Sequence, residues 1–139
     1  MDLLESVGYA LAYAVVGIVV LGIGYTVLDL LTPGHLGRHI MEGSLNAAVV
    51  TAAGILGLGL IVWTTIWHHG DASFGEALGW TIVFGLLGVA IQAVAFRLLD
   101  LVMPDDLAAT AMEKTFHPAS LVAASTQISV SLVVVASIA

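Results

Sequence analysis

Residues 29–42 read DLLTPGHLGRHIME, and residues 100–113 read DLVMPDDLAATAME. The second stretch repeats the first after 71 positions, and the same shift runs through the chain without a gap until residue 68 meets residue 139. Six of the ten acidic residues form matched pairs, which are Glu5 with Glu76, Asp29 with Asp100 and Glu42 with Glu113. Unrelated apolar sequences would not place scarce carboxylates so regularly. The pattern predicts one structural unit used twice, in residues 1–68 and 72–139.

The amino-acid composition is typical of membrane proteins. Of 139 residues, 60% are apolar and 9% are charged, whereas soluble domains carry about 25% charged residues. A spanning helix needs roughly 20 mostly apolar residues, and the stretches that qualify are Leu3–Leu31, Ser44–Trp67, Phe74–Val102 and Pro118–Ala139. The predicted fold is an all-α membrane protein with four transmembrane helices. They form two parallel-repeat hairpins within one integrated membrane domain.

Each predicted hairpin turns through a short polar connection, Pro33–Glu42 in the first repeat and Pro104–Glu113 in the second. Proline suits the first position of a helix, because the amide hydrogen it lacks would be unbonded there. Leu36 and Ile40 keep an i, i+4 apolar edge. We expect each connection to be a short helix that begins at the proline and lies on the cytoplasmic membrane surface.

The basic residues predict the orientation of the chain. Arg38, Arg97 and Lys114 all lie at the end of the hairpins that carries these connections. The positive-inside rule places that end in the cytoplasm and both termini outside. The first apolar run is too long for a cleaved signal and has no basic segment before it, so it is expected to stay in the protein. Aromatic residues are predicted to mark the outer interface: Tyr9, Trp63, Trp67 and Trp80.

Polar and ionisable residues at two depths are the candidate functional residues. A cluster is predicted at the cytoplasmic mouth, formed by Asp29, Arg38, Glu42, Asn46, Arg97, Asp100, Glu113 and His117. These groups either reach the membrane interface without further function, select ions or protons, or dock a soluble partner. Gln92 and Gln127 lie at membrane depth and must face protein or water, since an unpartnered amide in hydrocarbon is costly. Both a buried helix contact and a hydrated path satisfy that requirement.

Asp29 and Asp100 stand four residues before Pro33 and Pro104. We expect each carboxylate to hold the following short helix, either by accepting hydrogen bonds from its free amide groups or by pairing with Arg38 or Arg97. Arg97 precedes Asp100 by three residues, a spacing that favours an ion pair on one helix face. The alternative is that the two carboxylates carry protons or cations.

Several chemistries have no support in the sequence. The chain has no cysteine, which excludes disulfides, thiolate metal sites and cysteine nucleophiles. The net charge of −7 argues against nucleic acid as a partner. No serine, histidine and acid stand at catalytic spacing, and no phosphate-binding loop is present. No metal-ligand spacing is matched by His68, His69, Asp71 and Glu76. We expect no enzymatic activity, no cofactor and no metal.

Two elements resemble a known family. The stretch DLLTPGHL from Asp29 and the stretch EGSLNAA from Glu42 are similar to the bacterial YjfL-like proteins, the domain of unknown function 350 family. The second repeat departs, because His117 and Pro118 stand where an Asn-Ala pair is expected. The resemblance implies a small four-helix protein of the bacterial plasma membrane without catalytic residues. Gene neighbourhoods of the family imply envelope-stress or polyamine-related protein partners.

The sequence leaves two functions open. The first is a non-enzymatic homo-oligomeric membrane component that anchors or assists partners in envelope maintenance. The second is an oligomeric channel or transporter for ions or small solutes. Small residues on one face of the first and third spans favour close helix packing, and Gly88→Leu is expected to disrupt packing or assembly.

Overall fold

Four long helices and two short ones make up residues 2–139, the part of the chain that this computed structural model describes. In chain order they are α1 (Leu3–Leu31), α2 (Leu36–Met41), α3 (Leu45–His68), α4 (Phe74–Val102), α5 (Leu107–Thr110) and α6 (Pro118–Ile138). The helices α1, α3, α4 and α6 are long and apolar enough to cross a membrane. The predicted all-α membrane fold with four spans is therefore confirmed, and the predicted ends of the spans are at most one residue from those observed.

Side chains cap the starts of three of the four long helices, α1, α3 and α6. Asp2 and Glu5 form a capping box at the start of α1. The Ser44 hydroxyl accepts the amide hydrogen of Ala47 at 3.2 Å at the start of α3. At the start of α6, Nδ1 of His117 accepts the amide hydrogen of Ala119 at 3.1 Å. These caps satisfy amide groups that have no partner within the helix.

The two short helices begin later than the sequence predicts. α2 starts at Leu36 and α5 at Leu107, so Pro33 and Pro104 lie in the bends that precede them. The prediction that each proline opens a helix is wrong. Proline cannot continue the preceding long helix, because it lacks the amide hydrogen and its ring clashes with the previous turn. It therefore marks the end of α1 and α4 and not the start of α2 and α5.

The two hairpins pack side by side, with α1 beside α4 and α3 beside α6. Helix α3 contacts the other three long helices, and 56% of its most apolar window is buried, against 11% for α1. Helix α6 packs against α3 and α4 and makes no comparable contact with α1. The first repeat thus supplies both the most buried and the most exposed of the long helices.

Two apolar cores lie at different heights in the bundle. One is near the end that carries α2 and α5, called the connection end below, and it is centred on Leu28, Val50 and Phe96. The other is nearer the chain termini and is centred on Val20, Ile61 and Val89. Between them lies a polar layer that contains Gln92, Gln127 and Ser131.

Close helix approach explains the small residues of α4. A Cβ atom added to Gly88 would lie 2.7 Å from Cδ1 of Ile61, and one added to Gly85 would lie 2.9 Å from Cγ1 of Val20. These two glycines therefore let α4 pack tightly on α3 and α1 within one chain.

Candidate functional site

Asn46 is the polar centre of the contact between the two repeats. It is fully buried at the start of α3, with 0% of its surface exposed. Its Nδ2 donates to the carbonyl oxygens of Glu113 at 2.9 Å and Thr115 at 2.8 Å. Its Oδ1 accepts from the His117 amide at 2.9 Å and from the Ser120 hydroxyl at 2.8 Å. Both amide hydrogens and both acceptor positions of the Asn46 side chain thus have hydrogen-bond partners.

Ser44 adds a second attachment to the same segment. Its hydroxyl donates to the Glu113 carbonyl at 2.8 Å while it also caps α3. The segment between α5 and α6 has few hydrogen bonds of its own, so these contacts hold it in place. We call this group the Asn46 clasp; it consists of Ser44, Asn46, Ser120 and the backbone of residues 113–117. Loss of Asn46 would leave several polar groups unpaired, each at about 1 to 3 kcal/mol where it is buried.

The clasp is formed once, although the chain repeats. His117 occupies the position that corresponds to Asn46, yet it is exposed and caps its own helix. The two corresponding positions meet directly, because the His117 amide donates to Asn46 Oδ1. The replacement of an asparagine by histidine in the second repeat therefore gives an asymmetric junction.

The two repeated aspartates hold the short helices. Oδ1 of Asp29 accepts the Leu36 amide hydrogen at 2.5 Å, and Oδ1 of Asp100 accepts that of Ala108 at 3.1 Å. Arg97 Nη1 lies 3.6 Å from Asp100 Oδ2, as predicted from their spacing. Both expected amide contacts are confirmed. The two aspartates thus play the same structural role. The amide that donates to Asp100 lies one residue later than the counterpart of the amide that donates to Asp29.

Of the two alternatives for Asp29, the amide contact forms and the pairing with Arg38 does not. Nδ1 of His35 lies 3.9 Å from Oδ2 of Asp29, whereas Arg38 is exposed and forms no ion pair or side-chain hydrogen bond with residues 2–139. The reason is the late start of α2, which places His35 in the bend beside Asp29 and Arg38 inside the following turn.

Six of the eight predicted mouth residues fall into three separate groups within one chain, and Arg38 and Glu42 belong to none of these groups. Asp29 belongs to the start of α2, Arg97 and Asp100 to the start of α5, and Asn46 to the backbone of Glu113 and His117. Arg38 and Glu42 are exposed at the connection end, as are the side chains of Glu113 and His117. The geometry therefore brings Asn46, Glu113 and His117 together through backbone atoms and leaves the charged tips in solvent.

Both glutamines are buried in the polar layer. Nε2 of Gln92 donates to the Gly54 carbonyl at 3.2 Å and to the Ser131 hydroxyl at 2.7 Å. The Ser131 hydroxyl in turn donates to the main-chain carbonyl of Gln127 at 2.8 Å. Gln127 is 3% exposed, and its Oε1 has no partner among residues 2–139. Both side chains avoid lipid, as the cost of burying an amide requires.

Of the two histidines at the opposite end of the bundle, His69 contacts the end of α3 and a ring of α4. Nδ1 of His69 lies 2.9 Å from the Thr65 carbonyl, and its ring stacks on Trp80 with centroids 5.3 Å apart. In residues 2–139 no group of three or more His, Cys, Asp or Glu side chains is placed to hold a metal ion. His69 thus completes the end of α3.

Sequence reasoning did not identify Ser44 and Ser120 as part of the junction. The helical spacing of Ser120 and Gln127 shows only that two polar residues share one face of α6. The other half of the clasp consists of backbone carbonyl and amide groups, and these carry no side-chain signal. A lone asparagine at the start of a spanning helix is the one available clue, since its amide needs partners.

The chain belongs to the Domain of Unknown Function (DUF350) family, whose sequence model matches residues 2–138. It is also similar to a UPF0719 transmembrane protein of Mycolicibacterium paratuberculosis (strain ATCC BAA-968 / K-10), with 33% identity over 113 residues. That alignment covers 81% of this chain and 74% of the relative. No solved structure matches the chain. It is therefore a multi-pass membrane protein of this family.

Proposed function

We propose that the protein is a non-enzymatic, homo-oligomeric component of the bacterial plasma membrane that anchors partner proteins in envelope maintenance. In this proposal the connection end faces the cytoplasm and both termini lie outside. The observation that carries it is a helix face that is packed in the first repeat and bare in the second.

Helix α6 exposes a stripe whose counterparts on α3 are all buried. The exposed positions are Leu121, Val122, Ser125, Ser129, Leu132 and Val133. Their counterparts 71 positions earlier are Val50, Thr51, Gly54, Leu58, Ile61 and Val62. In the first repeat this face packs against α4 of the second repeat and also against α1: Ile61 lies near Gly88, and Val62 lies near Gly17. A further copy of the chain is the partner that would cover the same face of α6.

Helix α1 exposes small residues at positions that are buried in the corresponding helix α4. Ala10 and Ala14 are exposed, whereas their counterparts Thr81 and Gly85 on α4 are buried against the first repeat. Contact of α1 in one copy with α6 in the next would extend the packing between the repeats. Such head-to-tail contacts form rings where the rotation closes. The small residues on α1 would permit close backbone approach.

The proposed contact can be given residue by residue. Gly88 lies against Ile61 within the chain, as the 2.7 Å approach of an added Cβ atom to Ile61 Cδ1 indicates. The corresponding positions are Gly17 and Leu132. Gly17 of one copy should therefore lie against Leu132 of the next.

Exposed charge at the connection end supports an anchoring role. Arg38, Glu42, Glu113 and Lys114 are exposed there and carry both signs of charge. The two repeats supply these groups on short, held segments and not on long flexible loops. A surface of this kind suits a soluble partner, and the family resemblance suggests envelope-stress or polyamine-related proteins.

Disulfide cross-linking tests the oligomer directly, because the native chain contains no cysteine. The double variant Gly17→Cys, Leu132→Cys in membranes should give cross-linked dimers and higher species on mild oxidation. The control Gly17→Cys, Leu121→Cys places the second thiol on the same face about 16 Å away along the helix, at 1.5 Å per residue, and should stay monomeric. Equal cross-linking of both variants, or none in either, would contradict the proposed interface.

Orientation needs a separate test. Single cysteines at Arg38 and at Ala72 should react with a membrane-impermeant thiol reagent from opposite sides of the membrane. Labelling of Arg38→Cys from the periplasmic side of intact cells would reverse the proposed orientation. Labelling of both from one side would contradict the four-span topology.

A second candidate function is a channel or transporter for ions or small solutes. It is favoured by Ser125 and Ser129, whose hydroxyls lie on the bare face of α6 and form no hydrogen bond with residues 2–139. Hydroxyls on such a face would line a path if several copies enclosed one. Flux through proteoliposomes that contain the purified protein, lost in Ser125→Val with Ser129→Val, would favour this candidate over the anchor.

A further inference from the structure

A small cavity lies in the polar layer where all four long helices meet. Its volume is about 20 Å³. The lining includes Gly24 of α1, Thr51 and Gly54 of α3, Gln92 of α4 and Gln127 of α6. One water molecule needs a cavity volume of about 10 to 15 Å³, so this cavity has room for one water.

Most of the cavity lining is apolar, but it includes the oxygen atoms of two buried carboxamides. Gln127 is 3% exposed, and its Oε1 has no partner within residues 2–139. The Gln92 side chain uses its nitrogen for Gly54 and Ser131, and its oxygen accepts no hydrogen bond in the described chain. Because the oxygen and nitrogen of an amide can exchange places by rotation, Gln127 presents an unpaired group in either orientation. A bound molecule that donates hydrogen bonds would satisfy both carboxamide oxygens.

We propose that this cavity is a binding site for a single ordered water molecule that donates to Gln92 and Gln127. An empty cavity would leave a buried amide oxygen unpaired at about 1 to 3 kcal/mol, and dry cavities in proteins are lined by apolar groups. A metal cation fits the oxygen atoms less well, since none of the lining residues is a carboxylate and a buried unpaired charge is costly. The site lies inside one chain and does not depend on the proposed oligomer.

The chain offers a clean spectroscopic probe of this site. Gln92 and Gln127 are its two glutamines and Asn46 is its one asparagine, so protein labelled with ¹⁵N at the glutamine and asparagine side chains gives two glutamine amide signals and one asparagine signal. Gln127→Leu removes one signal and assigns both. Transfer of magnetisation from water to these amides, measured in lipid bilayers by solid-state NMR, reports a water within contact distance.

Two matched glycine variants are expected to differ in their effect on the water: one displaces it, and the other leaves it in place. A Cβ atom on Gly54 would lie 3.8 Å from both Gln92 Oε1 and Leu28 Cδ2, an ordinary contact distance, so Gly54→Ala puts a methyl group against the cavity without a clash. A Cβ atom on Gly59, five residues further along α3, meets nothing within 4 Å. Gly59→Ala therefore makes the same chemical change away from the cavity.

We expect water transfer to the Gln127 amide in the native protein and in Gly59→Ala, and its loss in Gly54→Ala. The side-chain signal of Asn46, the one asparagine, should stay unchanged in all three and shows that the fold is retained. Absence of transfer in the native protein would overturn the proposal, and that result does not depend on any variant folding. Transfer that persists in folded Gly54→Ala would also overturn it. A shift of the glutamine signals on titration with sodium or potassium chloride, absent with choline chloride, would replace the water by a cation.

Discussion

Helices α3 and α6 occupy the same place in the two repeats but have different surroundings. Helix α3 lies at the centre of the bundle and carries Asn46 in its first turn, where four hydrogen bonds of this side chain join the repeats. Helix α6 lies at the edge and is preceded by His117, which is exposed and caps only its own helix. The comparison shows how one hairpin plan serves two purposes. The first repeat holds the fold together, and the second leaves a face free for association.

The largest expected effect separates Asn46 from His117. Asn46→Leu should destabilise the protein by about 3 kcal/mol, because it removes four hydrogen bonds and leaves the Thr115 carbonyl, the His117 amide and the buried Ser120 hydroxyl without this partner. His117→Leu removes one exposed helix cap and should cost about 1 kcal/mol. Thermal unfolding in detergent, followed by circular dichroism, measures both. Equal losses would mean that the clasp contributes no more than a cap.

The next largest expected effect is a difference between the corresponding glycines Gly88 and Gly17, which we expect to affect chain stability and self-association respectively. Gly88→Leu should destabilise the single chain by about 1 to 3 kcal/mol, since its side chain would collide with Ile61 and Leu58. A Cβ atom on Gly17 meets only Val62, at 3.8 Å, so Gly17→Leu should leave the fold intact and weaken self-association. Light scattering in detergent gives the mass and thermal unfolding gives the stability. A Gly17→Leu variant with the same oligomer mass as the native protein would show that α1 does not lie in the interface.

The smallest effect concerns the repeated aspartates. Asp29→Leu and Asp100→Leu should each cost about 1 to 2 kcal/mol through loss of the acceptor for Leu36 or Ala108. The Asp→Asn variants keep a carbonyl oxygen in place and should cost less than about 1 kcal/mol. Thermal unfolding and liposomal flux are measured on the same four proteins. Loss of a native flux in Asp→Asn at unchanged stability would assign these carboxylates to transport.

The repeat and the hydropathy pattern were enough to predict the four spans, because membrane helices must satisfy their backbone groups internally and so follow the apolar stretches closely. The Asp29 and Asp100 contacts were also predictable, since their amide partners lie only seven and eight residues away. The starts of α2 and α5 were not, because a proline can end one helix as readily as it opens another.

The clasp could not be predicted for a different reason. Asn46 bonds to groups 67 to 74 residues away, and three of the four are backbone atoms. The contact depends on how the hairpins pack, and no spacing in the chain encodes it. Likewise, the exposed stripe on α6 cannot be told from any other apolar helix face by its sequence. It stands out only because the corresponding positions on α3 are buried.

The Asn46 clasp also imposes an order on biosynthesis. The start of α3 enters the membrane before residues 113–120 have been synthesised, so the Asn46 amide has none of its final partners at that stage. The first hairpin alone therefore carries an unpaired amide that only the last hairpin can satisfy. Completion of the chain closes the junction, and a half-length product differs from the finished protein in leaving the Asn46 amide and the Ser44 hydroxyl without their partners from the second repeat.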